Sequence, residues 1–152
     1  PRTEASLPDL WQQDLATFKA LNDLPMAMTA HVVYGAIDPE NCATLSPGVI
    51  RLIRQEIGFD GLLMTDDLSM QALNGSFADR TNRALQAGCD VALHCHGIMP
   101  EMIEITQAAG ALGAAAARRA ERALGLRKPA QAMDRNALLA ALDQMLMLPG
   151  ND

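Results

Sequence analysis

Apolar positions along this chain recur in two rhythms, one of about three and a half residues and one of continuous short runs. Leu10, Leu15, Phe18 and Leu21 fall mostly on one helical face, which predicts a helix over residues 9–22. Asp9 is its expected cap, with Gln12 three residues on as its partner. Residues 25–33 are apolar on both faces, as an inner parallel strand is. Gly35 to Leu45 reads as a long loop. Ser46 and Pro47 then open a helix carrying Val49, Ile50, Ile53 and Ile57, and Gly58 ends it. A second buried strand begins at Gly61 and runs through Leu62-Leu63-Met64-Thr65 into Asp66 and Asp67. A helix is expected from Met70, capped by Asp67 or Ser69. Gly75 and Ser76 interrupt, Phe77 to Ala87 reads as a helix ended by Gly88, and residues 89–97 read as a third strand. Helices over 101–109 and 114–124 follow. Asp134 caps a last amphipathic helix through Met147, with Leu138, Leu139, Leu142, Met145 and Leu146 expected on a buried stripe.

Strands near Met26, Gly61 and Val91, each followed by a helix, repeat at the spacing of a βα unit. Right-handed crossovers make such strands parallel and place the helices outside. Ligands of parallel sheets sit at the carboxyl ends of the strands, which is where Asp66 and Asp67 lie. Side chains alternate along a strand, so Leu62, Met64 and Asp66 share one face and Leu63, Thr65 and Asp67 the other. One carboxylate can therefore enter a site while its neighbour turns toward the next element. Helix caps or solvated loop carboxylates are the plain alternative.

Two further features bear on chemistry. His31 lies toward the carboxyl end of the first strand, either as a satisfied core residue or as a contact to ligand or carboxylate. His94-Cys95-His96 places two imidazoles on one face if the strand continues, but no third ligand is set beside them, so pocket lining is favoured over a metal. Arg51, Arg54 and Glu56, then Asp79, Arg80, Asn82 and Arg83, and finally Arg118, Arg119 and Arg122, fall on faces expected to be wet.

Composition narrows the class. The chain has 152 residues, 49% hydrophobic and 20% charged, enough for one domain with a real core. Its net charge of −6 and the lack of a basic stripe argue against nucleic acid or an anionic membrane as partner. Three cysteines, Cys42, Cys89 and Cys95, have no framework spacing and suit free thiols in a reducing, cytoplasmic setting. No apolar run is long enough to span a bilayer and no signal peptide is visible. The chain begins at Pro1 rather than at a methionine, which suggests a fragment or a processed product.

Three blocks in register carry a resemblance. Gly58-Phe59-Asp60-Gly61 followed by Thr65-Asp66-Asp67-Leu68-Ser69-Met70 resembles the nucleophile segment of the bacterial family 3 β-N-acetylhexosaminidases, cytoplasmic enzymes of cell-wall recycling. Ala27-Met28-Thr29-Ala30-His31-Val32-Val33-Tyr34 upstream and Ala87-Gly88-Cys89-Asp90-Val91 downstream resemble the same family at matching spacing. The resemblance implies the C-terminal portion of a (β/α)8 barrel over residues 1–125, with a helical extension over 126–152. It implies a retaining glycosidase with Asp66 as catalytic nucleophile, His31 as a substrate-binding candidate, and no metal or organic cofactor. Its implied partners are an N-acetylglucosamine-containing saccharide and the remaining strands of the barrel. In the resembled enzymes a histidine and an aspartate on a mobile loop supply the acid/base, and that loop precedes the equivalent of Pro1. A chain without it is expected to show little turnover and, with its inner face uncovered, to associate. Two other functions remain open: another family 3 glycosidase such as a β-glucosidase, and a non-catalytic small-molecule-binding α/β module. A receiver-like module needs a lysine at a strand end, and the only lysines, Lys19 and Lys128, are elsewhere.

Overall fold

The computed structural model describes residues 1–147. Its centre is a three-stranded, all-parallel sheet in the order β2 (Met26–Met28), β4 (Leu62–Asp67), β5 (Val91–Leu93). Met26 stands opposite Leu62, and Met28 opposite Met64. The register slips between Met64 and Asp67, where the Thr65 hydroxyl accepts the amide of Leu93 at 2.9 Å in place of a backbone carbonyl. The parallel arrangement expected from the spacing is therefore present, and β4, the central strand, ends at the aspartate pair.

The first strand is shorter than its apolar run suggests. It stops at Met28, and after a crossing segment the chain forms β3 (Val33–Tyr34), which pairs in parallel with β1 (Arg2–Thr3) in a separate two-stranded sheet. Thr29 and His31 are buried in the crossing. Their polar groups replace ladder hydrogen bonds there, so the strand cannot continue as a flat ribbon.

α1 (Leu7–Ala20) starts two residues earlier than its apolar stripe suggests. Ser6, not Asp9, is the cap: its Oγ accepts the Asp9 amide at 3.3 Å and donates to Asp9 Oδ2 at 2.6 Å. α2 (Pro47–Arg51) opens as expected, with Ser46 Oγ accepting the Val49 amide at 3.1 Å, and widens into a π turn over Leu52–Glu56. α3 (Phe77–Ala87) has a full capping box between Ser76 and Asp79 and ends at Gly88, whose φ of 115° needs a residue without a Cβ. α4 (Met99–Ala109) and α5 (Ala114–Gly125) follow β5.

The core lies between the sheet and its helices. Leu10 and Leu15 of α1, Ile50 and Leu52, Ile57 and Phe59 close on Leu63 and Cys89. A second cluster of Cys42, Leu45, Leu68, Leu73 and Ala84 lies near the carboxyl ends of the strands. Gly61 lets β4 start close to the preceding segment, because a Cβ there would stand 2.6 Å from the Leu24 carbonyl oxygen.

Two faces depart from expectation. Met26 and Met28 are 44% and 50% exposed, and with Phe18, Leu21 and Leu24 they line an apolar groove of about 320 Å³ along the free edge of β2. α6 (Arg135–Met147) is capped by Asp134 as expected, yet Leu138, Leu139, Leu142, Met145 and Leu146, expected on a buried stripe, are all exposed. Residues 148–152 of the expected helical extension lie outside the described residues. No described helix is long and apolar enough to cross a membrane.

Candidate active site

The site is built at the carboxyl end of β4, where the two aspartates take opposite roles. Asp67 is fully committed. Its Oδ1 accepts the amides of Ser69 at 3.0 Å and Cys95 at 3.1 Å, and its Oδ2 accepts the Ser69 hydroxyl. Burial pushes its carboxyl up, but the hydrogen bonds from Ser69 and Cys95, aided by the nearby His96, outweigh that and hold it below the usual carboxylate range. This ring of donors ties the turn after β4 to the loop after β5. It also explains why no helix forms at Met70. The Asp67 side chain captures the Ser69 amide in a tight turn, and Arg80 reaches back to the carbonyls of Leu68 at 2.7 Å and Met70 at 3.3 Å.

Asp66 is held differently. Its Oδ1 accepts the adjacent Asp67 amide at 2.8 Å, which fixes the carboxylate's direction. No hydrogen bond from a described residue reaches its Oδ2. The side chain is partly buried, on the β4 face shared with Leu62 and Met64 and, through the register, with Met26 and Met28. No described cation lies within ion-pair distance of either aspartate. An oriented carboxylate with one free oxygen at a strand end can attack an electrophilic carbon or accept a proton.

His31 is 4% exposed and has no free nitrogen. Nδ1 lies 2.8 Å from Thr44 Oγ1, and Nε2 lies 2.9 Å from the Asp67 carbonyl oxygen. The expected contact of His31 with a sugar is not what this geometry offers; its reach is to the backbone of the aspartate pair. Thr44 comes from the loop at 35–45, in a short 3-10 turn over Ala43–Leu45. That loop is held by Asp38, which accepts the Glu40 and Asn41 amides and the Ser46 hydroxyl.

His94 and His96 do not form a matched pair. β5 ends at Leu93, so strand alternation no longer applies, and their ring centroids are 5.9 Å apart. His94 is buried edge-on against Phe77 with Nε2 3.3 Å from Glu101 Oε2, whereas His96 is exposed. Among the described residues no cluster of three or more metal-binding side chains occurs.

Three groups of residues escaped the sequence reading. Thr29 and Thr44 are neutral and sit in apolar surroundings, so no charge or period marks them. Arg54 and Arg119, expected on wet faces, instead hold buried Asp90 at the opposite end of the sheet, at 2.6 and 2.9 Å. Arg80 and Arg83, also expected to be solvated, bind the turn after β4 and Asn41 respectively.

Comparison with known proteins places this geometry in context. The profile of the glycosyl hydrolase family 3 N terminal domain matches residues 1–124. A beta-hexosaminidase of Nitrosomonas eutropha is 40% identical over 92 residues, covering 58% of this chain and 26% of that protein. One from Pasteurella multocida is 35% identical over 101 residues, covering 63% and 29%. The chain thus spans less than a third of the length of these curated relatives. Among solved structures, a glycoside hydrolase family 3 beta-N-acetylglucosaminidase from Paenibacillus sp. str. FPU-7 superposes with a TM-score of 0.74 at 26% identity, over 89% of this chain and 29% of that one. A NagZ from Neisseria gonorrhoeae, solved in complex with zinc ion, gives a TM-score of 0.67 at 26% identity, over 95% and 41%.

Proposed function

The chain belongs to glycosyl hydrolase family 3, its parallel sheet being a portion of that family's (β/α)8 barrel, and on that premise we propose that it carries the nucleophile strand of a retaining β-N-acetylhexosaminidase. The observation that carries the reading is the division of labour at the end of β4. Asp67 is bound on both oxygens, whereas Asp66 is aimed by one hydrogen bond and keeps an oxygen free.

In this reading Asp66 attacks the anomeric carbon of an N-acetylglucosaminide. The C–O bond to the leaving group breaks, and a glycosyl ester forms on the carboxylate. Water then attacks the same carbon, and Asp66 leaves as carboxylate with net retention. A carboxylate suits this role because it is anionic near neutrality and its glycosyl ester is labile. Asp67 works as the brace that keeps the turn in place, and the general acid/base comes from outside this chain. The substrate is a terminal N-acetylglucosamine on a cell-wall fragment, in a cytoplasmic recycling step. The related beta-hexosaminidases support the sugar, and the resemblance at Thr65–Met70 supports the nucleophile.

The apolar groove along β2 has its counterpart in this reading. A neighbouring barrel strand and helix would cover Met26, Met28, Leu24 and Phe18, which suits the chain's partial span of its relatives.

The test is hydrolysis by the complete gene product of p-nitrophenyl N-acetyl-β-glucosaminide against the plain β-glucoside. Preference for the first, lost in Asp66→Ala and kept in a refolded control, supports the reading. Equal activity on both, or preference for the glucoside, makes it a different family 3 glycosidase. Full activity in Asp66→Ala removes the nucleophile assignment.

A further inference from the structure

Four hydrogen bonds, the middle two buried and the outer two partly so, form a chain that begins and ends on the aspartate pair. The Asp66 amide donates to Thr29 Oγ1 at 3.3 Å. Thr29 Oγ1 lies 2.9 Å from Thr44 Oγ1, and Thr44 Oγ1 lies 2.8 Å from His31 Nδ1. His31 Nε2 then lies 2.9 Å from the Asp67 carbonyl oxygen. Thr29, His31 and Thr44 are 6%, 4% and 0% exposed, so water is not available to complete any of them.

The direction of every bond follows from what each group can donate. A carbonyl oxygen only accepts, so Nε2 carries a proton. An amide only donates, so Thr29 Oγ1 accepts from Asp66. With a neutral ring, Nδ1 accepts from the Thr44 hydroxyl, and Thr44 Oγ1 accepts from the Thr29 hydroxyl. Each proton then has one acceptor. A doubly protonated ring reverses the middle of the chain: Nδ1 donates to Thr44, Thr44 donates to Thr29, and the Thr29 proton must leave the relay for the weakly accepting Cys89 sulfur. The relay is complete within itself only with a neutral ring carrying its proton on Nε2.

We propose that His31, Thr44 and Thr29 form a one-directional hydrogen-bond relay that clamps the Asp66–Asp67 peptide from both ends and so positions the Asp66 carboxylate. His31 is a positioning residue: it touches the backbone of the pair and no reacting atom. The clamp gains rigidity from its origin in three separate segments. Thr29 and His31 lie on the crossing after β2, Thr44 on the 3-10 turn, and the clamped peptide at the end of β4. Thr29 also anchors itself, its amide donating to the Met64 carbonyl at 2.9 Å. The Cys89 thiol donates to the Thr44 carbonyl at 3.8 Å, and burial, chiefly, pushes that thiol up to about 12, so it stays a donor and adds no charge beside the relay. The effect on turnover rests on Asp66 being the nucleophile; the relay itself does not.

Two measurements separate these. The first is nitrogen-15 NMR of the His31 imidazole in the wild-type chain near neutral pH. The relay requires a neutral ring protonated on Nε2 with Nδ1 as acceptor; a neutral Nδ1–H ring, or a charged ring, overturns it. The second uses the complete gene product. Thr44→Val keeps shape but removes the hydroxyl, and is expected to lower kcat about tenfold with KM little changed, as misplacement of a reacting group does. Thr44→Ser is expected to restore kcat. Wild-type kcat in Thr44→Val overturns the positioning role. If Thr44→Val does not fold, the same test falls to Thr44→Ser, which must keep both the Nε2–H tautomer and kcat for the relay to stand. Retained relay geometry with full activity in Asp66→Ala would leave the clamp intact and remove only the nucleophile reading.

Discussion

The two ends of the central strands both carry aspartates, and they are treated in opposite ways. At the amino ends, Asp90 lies buried with Oδ2 bound by Arg54 at 2.6 Å and by the Leu63 amide at 2.8 Å, and Oδ1 bound by Arg119 at 2.9 Å. Asp60, on the surface beside it, takes Arg119 at 3.0 Å and Arg122 at 3.2 Å. At the carboxyl ends, Asp66 and Asp67 are met only by backbone amides and a hydroxyl. A carboxylate neutralised by arginines is a rivet: its charge is used up holding α5 and the π turn to the sheet. Asp67 commits both oxygens to neutral donors and serves as a brace, whereas Asp66 has one such donor and an oxygen left over. The partners of a carboxylate, more than its burial, therefore distinguish the aspartates of this molecule.

The largest effect should come from pulling the rivet. Asp90→Ala strips the Leu63 amide and two guanidinium groups of their shared carboxylate, though Arg119 keeps Asp60. Removing one member of a buried charge network costs about 3–5 kcal/mol. Urea denaturation should show that loss; a cost under about 1 kcal/mol would mean that the amino-end cluster is not what holds α5. Asp60→Ala, on exposed partners, should cost no more than about 1 kcal/mol.

At the other end the aspartates should part company. Asp67→Ala removes three hydrogen bonds, and should cost about 1–3 kcal/mol and loosen the loop after β5, read as faster amide exchange at Ser69 and Cys95. Asp66→Ala should change stability by no more than about 0.5 kcal/mol, since it loses only a local hydrogen bond from the adjacent amide. Equal costs would erase the distinction between them.

Acid should act on both ends. Asp60 is held below the ordinary carboxylate range by Arg119 and Arg122. Asp67 is held there by Ser69 and Cys95, despite burial pushing it up. A lowered folded-state value means that the contribution is fully present above the unfolded carboxylate value of about 4 and is lost as pH falls through the folded values beneath it. The urea midpoint should fall as pH drops below about 4, and less so in Asp60→Asn. A flat profile would show that these pairings add nothing to folding.

The smallest effect is expected for α6. None of its residues is buried, so we propose a boundary near Gly125 and expect a chain ended there to keep its urea midpoint. A clear drop would show that α6 covers part of the domain.

Much of this contrast was hidden in the sequence, for definite reasons. β4 was legible because an apolar run bounded by Gly61 and ended by charge has few alternatives, and α3 because Ser76, Asp79 and Gly88 mark both its ends. The helical period correctly set Leu138 to Leu146 on one stripe, but a period reports a face and not whether anything covers it. Arg54 and Arg119 were misread because a long side chain on an outer helical face can reach over the end of a sheet, and their partner Asp90 is 36 and 29 residues away. Asp66 stood out because charge ends an apolar run. Thr29 and Thr44 did not, since a threonine in a buried segment reads as an ordinary β-branched residue until its hydroxyl partners are known.

The most direct test of the contrast is covalent. The complete gene product, incubated with an activated 2-deoxy-2-fluoro glycoside inactivator and digested, should yield one glycosylated peptide whose fragmentation places the sugar on Asp66. A label on Asp67, or a peptide from elsewhere in the chain, would contradict the assignment of the free carboxylate at the end of β4 as the reacting group.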